Sequence, residues 1–188
     1  MTTIIISHPY EKSFNMVILD KVVETLKKEN KNYTIIDLHQ ENFDPVLNKS
    51  DLALYNKGKS NDKLVHKYND ILNKTEHIIF IFPIWWYDMP AMLRGFFDKV
   101  MLNESAYTTD GVKLTPLRHI EKTSIFTTSA ASTKELIEEY GNPVENVMIK
   151  GTFKVLGFTG AKWHNMELII DSTLEQRVEY LNKIEKYL

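Results

Sequence analysis

Three short stretches of the 188-residue chain carry side chains able to do chemistry, and each follows an apolar, β-branched run. The first, "SHPYEKSFN", offers His8 as a donor and Ser13 as an N-cap, with backbone N–H groups at Phe14 and Asn15 that a helix start leaves free. Such a start binds phosphate without a glycine loop. The same serine also serves as a plain cap with no ligand. The second, "FPIWWYDMP", sets Trp85, Trp86 and Tyr87 between Pro83 and Pro90, on a turn where small or polar residues are the norm. Rings in that place either pack under a loop or wall a flat ligand. The third, "FTTSAAST", brings the hydroxyls of Thr127, Thr128 and Ser129 ahead of small residues. That suits a polar heterocycle edge or a phosphate, while Ser132 or Thr133 caps the next helix.

Other chemistries find less support. The chain has no cysteine, which excludes disulfides, thiolate catalysis and Cys-ligated metals. Its six histidines show no metal-ligand spacing, and there is no G-x-S-x-G elbow. GxGxxG and Walker A are both absent, so Asp37 after the second apolar run does not complete a dinucleotide fingerprint. A net charge of −2 without a basic run argues against a nucleic-acid surface or an anionic-membrane surface. The opening "MTTIIISHPYEKSF" reads as neither signal peptide nor membrane span, so the expectation is a cytoplasmic protein without membrane insertion.

The elements that must position these stretches alternate. Strands are expected at 3–7, 33–38, 77–83, 123–129 and 162–170. Helices are expected at 13–29, about 60–72, 91–101, around 144–156, and from 174 to the end. The strand runs are apolar throughout rather than alternating, which implies cover on both faces. The pattern describes one α/β domain over 1–188: a five-stranded parallel sheet with helices on both faces. Such sheets bind ligands outside the carboxyl ends of their strands, where all three stretches fall. The helix 91–101 has more apolar positions than one core-facing stripe needs, which suits a dimer interface.

Taken together, "HPYEKSFN", "FPIWWYDMPAMLRGFFDKV" and "TT" resemble the flavodoxin-fold NAD(P)H:quinone oxidoreductase family. The likeness is in good register from Ile4 to about Thr128 and looser beyond. It is closest to the short bacterial members, the modulator-of-drug-activity and potassium-efflux ancillary types. The resemblance implies a non-covalent flavin, FMN rather than FAD by a narrow margin. His8, Ser13, Phe14 and Asn15 would hold its phosphate. Pro83, Ile84, Trp85, Trp86 and Tyr87 would line its ring, and Thr127, Thr128 and Ser129 would meet its polar edge. Trp86, Tyr87 and Tyr107 would act on the substrate, Tyr107 from the opposite subunit of a homodimer.

The chain departs from the family in two places. Ser129 and Ala130 stand where two glycines are usual, and Tyr140 has no histidine beside it. The implied reaction is ping-pong: NAD(P)H gives hydride to the flavin and leaves, and a quinone or similar flat acceptor takes two electrons in the same slot. A regulatory subunit of a potassium efflux system and a one-electron flavodoxin-like carrier are the alternative readings. Carriers of that kind are usually strongly acidic, which a charge of −2 does not match.

Overall fold

The computed structural model describes residues 1–188. Strands β1 (Thr2–Ile6), β3 (His77–Pro83) and β6 (Lys122–Thr128) form the middle of a five-stranded parallel sheet, with β2 (Tyr33–Asp37) and β7 (Ala161–Met166) at its edges. The spatial order is β2-β1-β3-β6-β7. Pairing is in step along the sheet: Ile4 lies opposite Ile35 and Ile79, and Pro83 lies opposite Thr128. The three central strands are buried almost throughout, as their unbroken apolar runs require.

Residue parity divides the core in two. Ile4, Ile6, Ile79, Ile81 and Phe126 face α1 (Phe14–Lys28) and the closing helix α7 (Leu174–Tyr187). Ile5, Ile78, Phe80, Phe82 and Ile125 face the other layer. That layer holds α3 (Lys63–Leu72), α4 (Ala91–Val100) and a π-helix, Val144–Phe153, which runs into a last α turn, α6 (Lys154–Leu156). Two short helices, α2 (Lys49–Tyr55) and α5 (Thr133–Glu138), and a hairpin of β4 (Tyr107–Thr109) and β5 (Leu114–Pro116) complete the chain.

The fold matches the expected layers, with local corrections. The fifth strand stops at Met166 rather than running to Ile170. Its only neighbour, β6, ends at Thr128, and the Ser129 N–H bond to the Met166 carbonyl closes the ladder. The chain then turns, with Leu168 at φ 49°. Helix α2 was not among the expected elements, although Asn48 and Asp51 form a reciprocal capping box at its start. Nor was the hairpin, whose Asp110-Gly111 tip carries the usual signal: Asp110 accepts from the Val112 and Lys113 N–H groups.

A buried lysine ties the layer below the site together. Lys99 of α4 bonds the Asp62 carboxylate at 3.0 Å and the Asp44 carbonyl at 2.9 Å, with Asp51 at 3.9 Å. It joins α4 to the segment after β2 and to the start of α3. Gly95, one turn earlier in α4, allows the approach of that segment, since a Cβ there would meet Pro45 at 2.3 Å. No helix is long and apolar enough to cross a membrane.

Candidate functional site

The carboxyl ends of β1, β3 and β6 bring the three stretches together. Ser13 caps α1 as expected, its hydroxyl accepting from the Met16 N–H at 3.4 Å. The N–H groups of Phe14 and Asn15 have no acceptor in the chain. Asn15 is buried, and its Nδ2 donates to Thr128 Oγ1 at 3.0 Å across the sheet end. Its Oδ1 has no partner, and neither does the buried Ser7 hydroxyl at the end of β1. Five further buried polar atoms lack a partner elsewhere in the chain, Tyr68 Oη and His164 Nε2 among them, so what sets these two apart is the free Phe14 and Asn15 N–H groups beside them. His8 accepts the Tyr10 N–H at Nδ1, so its neutral ring carries the proton on Nε2. Burial lowers its pKa and keeps it neutral near pH 7. Its ring meets Trp85 edge-on at 5.7 Å.

The aromatic turn has an unusual backbone. Trp85 and Asp88 exchange N–H···O=C bonds at 3.0 and 3.1 Å, which leaves Trp86 and Tyr87 as a two-residue loop. Both have positive φ, 51° and 65°, the pattern of a type I′ turn. Asn and Gly normally fill those positions, because a side chain costs about 1–2 kcal/mol in the left-handed region. The Asp88 carboxylate accepts the Met89 N–H at 2.7 Å, and Pro90 caps α4. Ile84 is pinned to the neighbouring turn through the Thr128 carbonyl at 2.7 Å. The Tyr87 ring stacks on Tyr140 at 3.7 Å and 21°. Hydrogen bonding to Tyr87 pushes the Tyr140 phenol up to about 12.

A slot of about 370 Å³ lies between the two turns, walled by Ile84, Trp86 and Tyr87 on one side and by Ser129, Ala130 and Glu135 on the other. The N–H groups of Ala130 and Ala131 have no acceptor in the chain. Thr127 departs from expectation. Its hydroxyl accepts the Trp163 indole N–H at 2.7 Å and donates to Asn165 Oδ1 at 2.8 Å, so it is turned toward β7 rather than the slot. Tyr107 is not brought to this slot within one chain. Its phenol pairs with Tyr55 at 3.1 Å, beside a larger groove of about 760 Å³ that Arg94, Phe97 and Leu114 also line. Phe14 packs against Tyr180, with the Arg177 guanidinium over its ring. No sequence signal had singled out Trp163, Asn165 or Ser7.

A doubly wound parallel sheet with strand order 2-1-3 followed by the last two strands, and a ligand edge built from its carboxyl turns, defines the flavodoxin-like class. The flavodoxin-like fold family matches residues 1–188, and the chain belongs to it. A Haemophilus influenzae protein described as an uncharacterized NAD(P)H oxidoreductase is 25% identical over 94% of this chain and 89% of its own. The rat NAD(P)H dehydrogenase [quinone] 1 is 28% identical, but the match spans 56% of this chain and only 44% of that enzyme. Among solved structures, Smu.1420 from Streptococcus mutans is 31% identical, with TM-score 0.81, over 99% of this chain and 97% of that one. An NAD(P)H:quinone oxidoreductase from Methanothermobacter marburgensis superposes with TM-score 0.88 at 22% identity, covering 98% of this chain and 95% of that one, which speaks to fold. The resemblance first seen in three turns therefore extends along the chain.

Proposed function

We propose that the chain is a flavin-dependent NAD(P)H oxidoreductase that delivers two electrons to quinones or similar flat acceptors. The observation that carries this reading is the edge itself, where strained aromatic rings and the free Ala130 and Ala131 N–H groups line one slot and the open helix start is tied to the same edge through Asn15 and Thr128. A phosphate-bearing planar cofactor fits that set of groups. When bound, flavin supplies the site that accepts hydride from NAD(P)H and returns two electrons to the acceptor.

The protein's part is to bind and orient. The Phe14 and Asn15 N–H groups and the positive end of α1 hold a phosphate. His8 would add a neutral Nε2 donor from the end of β1. Pro83 to Tyr87 set a flat wall, and Trp86 and Tyr87 offer the stacking face for substrate. The Ala130 and Ala131 N–H groups are donors for charge that builds at the opposite edge. FMN is the favoured form. An FMN-dependent NADH-azoreductase from Bacillus anthracis, solved in complex with FMN, superposes with TM-score 0.74 at 15% identity, over 98% of this chain and 96% of that one. A homodimer accounts for the groove by α4 and for Tyr107, which would then reach the slot of its partner.

Purification followed by a visible spectrum, and mass identification of the released flavin, tests the reading. The expected result is a yellow protein carrying FMN that oxidises NAD(P)H when a benzoquinone is added. A colourless protein that takes up neither FMN nor FAD overturns it. Sedimentation equilibrium tests the dimer separately.

A further inference from the structure

The turn after β6, Ser129 to Ala131, is braced by side chains of β7. A chain of hydrogen bonds runs from β7 into that turn. Trp163 Nε1 donates to Thr127 Oγ1 at 2.7 Å, and Thr127 donates to Asn165 Oδ1 at 2.8 Å. Asn165 Nδ2 donates to Ser129 Oγ at 2.8 Å and to Thr133 Oγ1 at 3.1 Å. Ser129 donates onward to the Ala131 carbonyl at 2.7 Å. An indole N–H can only donate, so Thr127 accepts it and keeps its own O–H for Asn165 Oδ1. With Thr127 donating to its oxygen, the Asn165 carboxamide presents its NH₂ to the turn, and Ser129, accepting from it, donates to the Ala131 carbonyl. Ser129 is buried, so this orientation does not compete with water.

We propose that Asn165 is a positioning residue for the cofactor slot. Its carboxamide, oriented from Trp163 through Thr127, holds the Ser129–Ala131 turn so that the free Ala130 and Ala131 N–H groups stay aimed at the ligand. Ser129 is the last link in this brace. Asn165 touches no ligand itself and acts through Ser129. The inference rests on the flavin reading.

Its test uses the purified full-length protein, titrated with oxidised FMN and, under anaerobic conditions, with reduced FMN. Asn165→Asp keeps the size and the acceptor facing Thr127 but can no longer donate to Ser129 and Thr133. The expected outcome is at least about tenfold weaker binding of reduced FMN, the value of one well-placed bond. The loss for oxidised FMN is smaller, so the midpoint potential of the bound flavin falls. A carboxylate by itself disfavours the anionic reduced flavin, so the uncharged Ser129→Ala must show the same selective loss; a purely structural residue would there weaken both forms alike and leave the potential where it was. Trp163→Phe, which frees the Thr127 rotor, shifts the potential in the same direction by less.

Ser129→Ala cuts the brace beyond the amide and carries the test if Asn165→Asp does not fold, as judged by circular dichroism. Its expected effect is a selective loss for reduced FMN. Folded variants with wild-type affinities for both forms overturn the proposal while the flavin reading stands. An equal loss for both forms also overturns it. A wild-type protein that binds neither flavin overturns the two together.

Discussion

Strand β3 and the segment after it carry two kinds of aromatic ring. Phe80, Phe82, Phe96 and Phe97 are buried to 5% exposure or less, and Phe80 stacks on Phe153 at 5.0 Å. Trp85, Trp86 and Tyr87, between these two groups in sequence, are 44%, 95% and 39% exposed. The phenylalanines sit in regular strand and helix, where the backbone is relaxed and the ring is taken out of water. Trp86 and Tyr87 sit in the left-handed region, where a side chain costs stability, and Trp86 recovers almost none of it through packing. Rings of the first kind hold the fold together. Rings of the second kind are retained against a stability cost, which fits the proposed binding wall.

The contrast breaks first at Phe96. It is wholly buried against Phe43, Tyr68 and Phe97. Phe96→Ala is expected to cost about 3–5 kcal/mol in chemical denaturation, from lost burial plus the cavity left behind. A loss below about 1 kcal/mol would show that this end of the motif is not core.

The second effect belongs to the far end of the same strand. His77 is buried, bonded to Ser124 Oγ at 2.9 Å, and burial lowers its pKa to about 4. The unfolded chain binds the proton more readily, so this contribution is complete above pH 6.5 and is lost as pH falls toward 4. Stability should drop by about 2 kcal/mol between pH 7 and pH 5 on this account. His164, whose pKa burial also lowers to about 4, adds to the drop in the same window, so His77→Gln should reduce it rather than remove it, and an unchanged pH profile in that variant counts against the assignment.

Much of this was legible beforehand because burial on both faces writes continuous apolar runs into central strands. β1, β3 and β6, the cap at Ser13 and the three site turns all follow from local pattern. Edge elements were read less well. In β7 the run "MELII" suggested a strand that its neighbour was too short to pair, which is a tertiary fact. Asn165 and Trp163 were missed for a related reason: their partner Thr127 lies 36 to 38 positions away in sequence, and no local spacing marks that bond. Thr127 was correctly placed at the sheet end but assigned the wrong neighbour. A hydroxyl turns to the partners that tertiary packing brings within reach, here Trp163 and Asn165.

The smallest effect is the most discriminating, because it separates the two kinds of ring by sign. Trp86→Asn puts at the first position of a type I′ turn a residue that tolerates positive φ and removes a ring that is almost fully in water. The protein should gain up to about 1 kcal/mol, seen as a rise of roughly 2–4 °C in Tm for a domain of this size. Turnover of a quinone acceptor should fall several-fold in the same variant while flavin remains bound, since the stacking face is lost and the phosphate contacts are not. A variant that gains stability and keeps wild-type acceptor kinetics would mean that Trp86 bears the strain for something other than substrate. One that loses stability would mean that the ring packs in solution against a surface the single chain does not provide, such as the partner subunit.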